Sequence, residues 1–175
     1  MNFVIRKAVM ADIDDVEKIY NDVLDYEANN ICYTNWKKGL YPTRMDAETA
    51  INHGTLYVGV ENNVMVGCAI LNHIQLKEYS KLNWNFRANG NEVMVIHTLC
   101  IDPMFSKRGF GKKFVDFSEQ TAKKLRCKTV RLDTYEGNIP AASLYCKLGY
   151  RYVGSVEVNF QNVIMETLKC FEKSL

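Results

Sequence analysis

Ser106-Lys107-Arg108-Gly109-Phe110-Gly111-Lys112 places two glycines among basic residues just after a long apolar run. Glycine lets backbone approach a ligand without an intervening Cβ. The first amides of a following helix lack internal partners, and the helix dipole adds partial positive charge. Such a turn suits a pyrophosphate, with Lys107, Arg108 and Lys112 adding full charges. The bland alternative is a helix start with a tight turn and a solvated basic rim. Known phosphate loops fit poorly. A Walker loop fails because Lys113 follows Lys112 and Ser106 stands where its first glycine belongs, and a dinucleotide loop fails because Phe114 replaces its third glycine.

Three further groups could act on an acyl carbon or an amine. His97 lies on the apolar run and titrates near ~6.5 in its ordinary state, so it is a candidate base or a hydrogen-bonded core histidine. Tyr145 is a candidate proton donor, or a ring that only packs. Alternation puts Val95, His97 and Leu99 on one face, with Cys100 turned away as a core residue. Trp36, Tyr41 and Trp84 fall in irregular segments, where aromatics either shape a substrate pocket or serve as structural lids. His53 and His73 have no carboxylate or cysteine at ligand spacing, so no metal site is expected.

The elements that would position these groups are legible from periodicity. Asn2 to Val9 reads as a strand, and Ile13, Val16, Ile19, Tyr20, Val23 and Leu24 mark the buried stripe of a helix opened by Asp12. Asp12, Asp14 and Asp15 then suit that helix's N-terminus. Residues 29 to 42 form a loop or broken helix, and Arg44 to Asn52 a short helix. Thr55 to Val60 and Val64 to Leu71 make a hairpin, and residues 74 to 91 are an excursion. Glu92 to Ile101 reads as a central strand buried on both faces. The helix after the glycine turn would bury Phe110, Phe114, Phe117, Thr121 and Leu125 and leave Lys113, Lys123 and Lys124 solvated. A strand over Thr129 to Thr134 follows, then a helix from Pro140 to Leu148 ended by Gly149, then strands over Tyr150 to Val158 and Asn162 to Leu168. This order predicts an α/β (α+β) chain with a mixed sheet in a single domain over residues 1–175.

The order of strand, R-G-x-G, helix, strand and then Asn138-Ile139-Pro140-Ala141-Ala142-Ser143-Leu144-Tyr145-Cys146-Lys147-Leu148-Gly149-Tyr150 resembles the GCN5-related N-acetyltransferase (GNAT) superfamily. The resemblance is strongest over residues 93 to 154. It implies a mostly antiparallel sheet with a splayed central strand pair and flanking helices, and acetyl-CoA as cosubstrate. Leu99 and Ile101 would pair with the pantetheine arm. Ser106, Lys107, Arg108, Gly109, Phe110, Gly111 and Lys112 would hold the pyrophosphate, with Ser106 departing from the usual Gln or Arg. Asn138 matches a residue contacting the cofactor arm, Tyr145 the general acid, and His97 lies on the strand that often supplies the base. Trp36, Tyr41 and Trp84 fall where the family shapes its acceptor site.

The reaction implied is acetyl transfer to an amine, by direct transfer in a ternary complex. The acceptor would be a small-molecule amine. A non-catalytic acyl-CoA sensor and a module binding ATP or RNA are the competing readings, the latter disfavoured by the net charge of +2. No nucleic-acid or membrane partner is expected, and the last strands could form a homodimer edge. The six cysteines show no C-x-x-C spacing, which fits reduced thiols and a cytoplasmic location.

Overall fold

The computed structural model describes residues 2–160 and 162–175. Seven strands run in the order β1-β2-β3-β4-β5-β7-β6. They are β1 (Phe3–Lys7), β2 (Leu56–Glu61), β3 (Val64–Asn72), β4 (Val93–Ile101), β5 (Thr129–Tyr135), β6 (Arg151–Phe160) and β7 (Ile164–Ser174). The helices are α1 (Ile13–Ala28), α2 (Arg44–Asn52), α3 (Phe110–Lys124) and α4 (Ile139–Lys147). Pairing of β4 with β5 is parallel, whereas β1–β2, β2–β3, β5–β7 and β6–β7 are antiparallel. The mixed, mostly antiparallel sheet is therefore as the sequence led us to expect. No helix among the described residues is long and apolar enough to cross a membrane.

The chain divides into two units, one comprising residues up to Ile31, Trp36–Leu71 and His97–Phe117, the other Cys32–Asn35, Asn72–Ile96 and Ser118–Leu175. The core of the first is the expected α1 stripe. Ile13, Val16, Ile19, Tyr20 and Val23 pack with Ala47, Leu56, Val58, Cys68 and Cys100. Asp12 does not cap α1 through its side chain. Its carboxylate instead takes two bonds from Arg6, at 2.7 and 2.8 Å, and one from the Val9 amide at 2.8 Å, at the 3-10 turn that precedes α1. Thr43 does cap α2, and it accepts from the Asp46 amide. Two glycines bring elements close. A Cβ at Gly67 would lie 2.5 Å from the Cys100 carbonyl oxygen, and one at Gly59 would lie 2.8 Å from the Phe114 ring. Leu125 is exposed, contrary to the helical pattern, because α3 ends one residue before it; Val115, Ser118 and Ala122 are buried instead.

The second unit holds a polar clamp under the excursion that precedes β4. Arg131 on β5 donates to Gln75 Oε1 at 2.6 Å and to the Phe86 carbonyl at 3.0 Å. Its guanidinium lies 4.1 Å from the Trp84 ring centroid. Glu172 on β7, fully buried, approaches Arg131 at 3.7 Å and accepts from the Asn85 amide at 2.5 Å. Tyr79 donates its hydroxyl to Asp133 at 2.6 Å. The strand read from the sequence as ending at Leu168 thus continues to Ser174. Lys169, Glu172 and Lys173 hid it, since charges interrupt the apolar alternation that marks a strand. Glu172 is buried there only because Arg131 and the Asn85 amide meet its charge.

Two outcomes follow from these contacts. Gly67→Ala should lose about 1–3 kcal/mol in urea unfolding, since backbone must move to admit the methyl. Gly90→Ala, where a Cβ meets nothing within 4 Å, should stay within roughly 0.5 kcal/mol of the parent. Burial pushes the Asp133 carboxyl up from 3.8 to about 6, against the opposing hydrogen bond from Tyr79. The protonated form therefore favours the folded protein. That contribution is complete below pH 3.8 and is lost as pH rises through about 6. Asp133 keeps some solvent exposure, so the loss should be roughly 2 kcal/mol, below the full value for such a shift. Asp133→Asn should flatten that part of the stability-versus-pH curve, and an unchanged curve would place the titration elsewhere.

Candidate functional site

The glycine turn is built on the end of β4. The Asp102 amide donates to the Val66 carbonyl at 3.0 Å, which ties the strand end to β3. The Asp102 carboxylate accepts from the Met104 amide at 2.8 Å and opens a short 3-10 turn over Pro103–Phe105. Lys107 and Gly109 then take φ values of +59° and +82°. Backbone that swings into the left-handed region turns successive N–H groups toward one side and makes an anion-binding concavity. The first rung of α3 is the Lys113 amide to the Gly109 carbonyl at 3.2 Å, so the preceding helical amides have no intrahelical acceptor. A Cβ at Gly109 would meet no atom within 4 Å, so the turn faces open space.

The charges around this turn are not equivalent. Arg108 donates to Glu61 at 2.5 Å, and its guanidinium lies 5.2 Å from the ring centroids of both Phe105 and Phe110. It therefore fastens the turn to β2, and Glu61 already meets its charge. Phe110 is 2% exposed and packs on Phe3 at 5.1 Å, which anchors the first turn of α3. Lys112 pairs with Asp116 at 2.5 Å on the exposed face. Lys113, expected to be solvated, has its ammonium 4.5 Å from the Phe3 centroid, because its long stem can cover a ring while its head stays wet. Lys107 and Ser106 are exposed. Lys107 is therefore the basic side chain of the turn without a protein partner among the described residues.

On β4 the parallel ladder with β5 ends at Ile96↔Leu132, and His97, Leu99 and Ile101 are each partly buried. Thr98 has φ +48°, so a strict two-residue alternation does not run through it. Cys100 is buried in the α1 core, and burial, with Cys68 beside it, raises its thiol well above the ordinary value. Tyr41 reaches Thr98, its hydroxyl 2.5 Å from Thr98 Oγ1, and the Trp36 ring stands edge-on to Tyr41 at 5.7 Å. Neither Thr98 nor Glu61 was legible from residue type, since a threonine in a strand and a glutamate at a hairpin are ordinary. The turn, the later half of β4, Trp36 and Tyr41 all belong to the first unit.

Asn138, Tyr145 and Trp84 belong to the second. Asn138 caps α4, its side-chain oxygen accepting from the Ala141 amide at 3.1 Å, and Gly149 ends the helix region with φ +86°. Tyr145 is 6% exposed, and its ring packs against Phe171 at 5.8 Å and Tyr150 at 6.1 Å. Trp84 donates from Nε1 to the Tyr79 carbonyl at 2.9 Å and lies in the Arg131 clamp.

Solved structures of known proteins share this fold. An acetyltransferase of the GNAT family from Streptococcus agalactiae superposes with a TM-score of 0.80 at 22% identity, covering 99% of this chain and 95% of that one. An acetyltransferase from Salmonella typhimurium, solved with its cofactor acetyl-CoA, superposes at 0.72 with 15% identity, covering 100% and 95%. At these identities the likeness is one of fold. The spermine/spermidine N(1)-acetyltransferase of Bacillus subtilis (strain 168) is 28% identical over 81 residues, 46% of this chain and 53% of that protein. The chain thus spans about half the length of the curated relatives it matches. The acetyltransferase (GNAT) family model matches residues 17–150, and the chain belongs to that family.

Proposed function

We propose that this chain is an acetyl-CoA-dependent N-acetyltransferase that passes the acetyl group directly to an amine of a small-molecule acceptor. The observation that carries the reading is the turn from Ser106 to Lys112, where left-handed Gly109 faces open space at the start of α3. Its free helical amides and the unpaired Lys107 suit the pyrophosphate of coenzyme A. Family membership and the acetyl-CoA-bound neighbour support the same choice. The spermine/spermidine acetyltransferase relative makes polyamines the first acceptors to try.

Bound acetyl-CoA supplies an electrophilic thioester carbon and a thiolate leaving group. The chain supplies the rest. Backbone groups at Leu99 and Ile101, beyond the end of the parallel ladder, would hold the pantetheine arm, and a β4 amide would polarise the carbonyl. Asn138 would contact the arm through the amide nitrogen that its capping bond leaves over. An alkylammonium acceptor, with a pKa of ~10.4, must first lose a proton, which His97 would take. The amine then forms a C–N bond as the C–S bond breaks; Tyr145 would give a proton to the sulfur, and the second proton leaving the nitrogen would restore the Tyr145 hydroxyl. Cys100 is unsuited to an acyl-enzyme, because its raised thiol pKa leaves almost no thiolate. Trp36 and Tyr41 would border the acceptor.

Thiol release from acetyl-CoA with pooled amines, spermidine and spermine among them, tests the proposal. Tyr145→Phe should lower kcat by on the order of 100-fold while leaving acetyl-CoA affinity intact. A protein that binds acetyl-CoA but acetylates no amine would be a sensor instead. Gly109→Ala should raise the acetyl-CoA Kd about tenfold, since a left-handed alanine costs roughly 1–2 kcal/mol and the turn relaxes to avoid it. An unchanged Kd would take the turn out of the phosphate site.

A further inference from the structure

Thr98 is the anomaly of β4. Among the described residues, seven non-glycine residues have positive φ, namely Asn35, Asn62, Asn63, Thr98, Lys107, Arg126 and Asn162. Asparagine tolerates this region, and Lys107 and Arg126 sit in turns. Thr98 is β-branched, buried and inside a strand, where a left-handed backbone is an outlier that its surroundings must enforce. A regular strand has φ near −120°, so at +48° the N–Cα bond of Thr98 is rotated by roughly 170° from its strand value.

Tyr41 contacts Thr98 from a distant segment. Its hydroxyl lies 2.5 Å from Thr98 Oγ1 across 57 residues of chain. The ring is itself fixed: the Lys37 amide donates to the Tyr41 carbonyl at 3.2 Å, and the Tyr41 amide donates to the Lys37 carbonyl at 3.0 Å. Trp36 braces it edge-on and packs against the α1 core. The strain of a left-handed β-branched residue and the net worth of one hydrogen bond are of the same order, so losing the hydroxyl is enough to tip the balance.

We propose that Tyr41 is a positioning residue for acetyl transfer, its hydroxyl pinning Thr98 in the left-handed conformation that aims the peptide groups of β4 from His97 to Leu99. This rests on the reading of β4 as the strand that polarises the thioester. Tyr41 then acts on turnover through its hydroxyl and Thr98, while its ring borders the acceptor. The pin should govern turnover more than cofactor affinity: it aims the Leu99 groups that meet the pantetheine arm, but the glycine turn that holds the pyrophosphate is fastened separately, through Arg108 and Glu61.

Tyr41→Phe keeps the ring and its brace and removes only the hydroxyl. The expected result is a fall in kcat of about 10- to 100-fold, an acetyl-CoA Kd that rises by no more than about fivefold, and a Thr98 φ that turns negative in the variant's crystal structure. Adding Thr98→Asn to Tyr41→Phe should recover much of the lost kcat, since asparagine takes the left-handed region readily. A purely packing role would give no such rescue. Thr98 remaining left-handed in Tyr41→Phe, an unchanged kcat, or no recovery in the double variant would each overturn the proposal. A parent protein that binds acetyl-CoA but releases no thiol with any amine would overturn the transfer reading, and the Thr98 conformation in Tyr41→Phe would still decide whether Tyr41 is the pin.

Discussion

The structure depends on where the ladder between β4 and β5 stops. Backbone N–H and C=O groups must be paired or solvated, and this pairing ends at Ile96↔Leu132 although β4 runs on to Ile101. The groups that follow are where a strand can serve a ligand instead of a neighbour. Every nearby feature suits that role. The strand end is tied to β3 through Asp102 and Val66, Gly67 lets backbone come close to Cys100, and the turn that follows is bent by left-handed Lys107 and Gly109.

Charge is used in this fold mostly for fastening. Arg108 is spent on Glu61, Arg6 on Asp12, and Arg131 on Gln75, the Phe86 carbonyl, Trp84 and Glu172. Arg108 and Arg131 join segments far apart in sequence, and the planar guanidinium fork suits several partners at once. Lys107 is left exposed at the turn. A basic cluster in a sequence therefore overstates the charge on offer, since partners tens of residues away decide which members are already engaged.

Much of the fold was legible because periodicity reports one-sided burial directly. The α1 stripe, the hairpin of β2 and β3, α4 with its Gly149 terminator, and the apolar run of β4 all followed from residue pattern. The misreadings have different causes. Leu125 continued a helical pattern past the end of α3, Asp12 looked like a cap but found Arg6, and β7 was cut short where Lys169 and Glu172 broke its alternation. Only for Glu172 did a contact distant in sequence outweigh the local pattern.

For the candidate site the division is sharper. Residue type and spacing alone determined the glycine turn, the N-x-x-A-x-x-L-Y segment and the family they mark, because a tight backbone turn and a helix start are local chemistry that needs particular residues in order. Only tertiary structure decided that Arg108 is engaged by Glu61, that Trp84 lies in the Arg131 clamp, and that Thr98 is held left-handed beneath Tyr41. A hydrogen bond spanning 57 residues leaves no periodic trace, and a threonine carries no mark of the backbone angle that its neighbours impose.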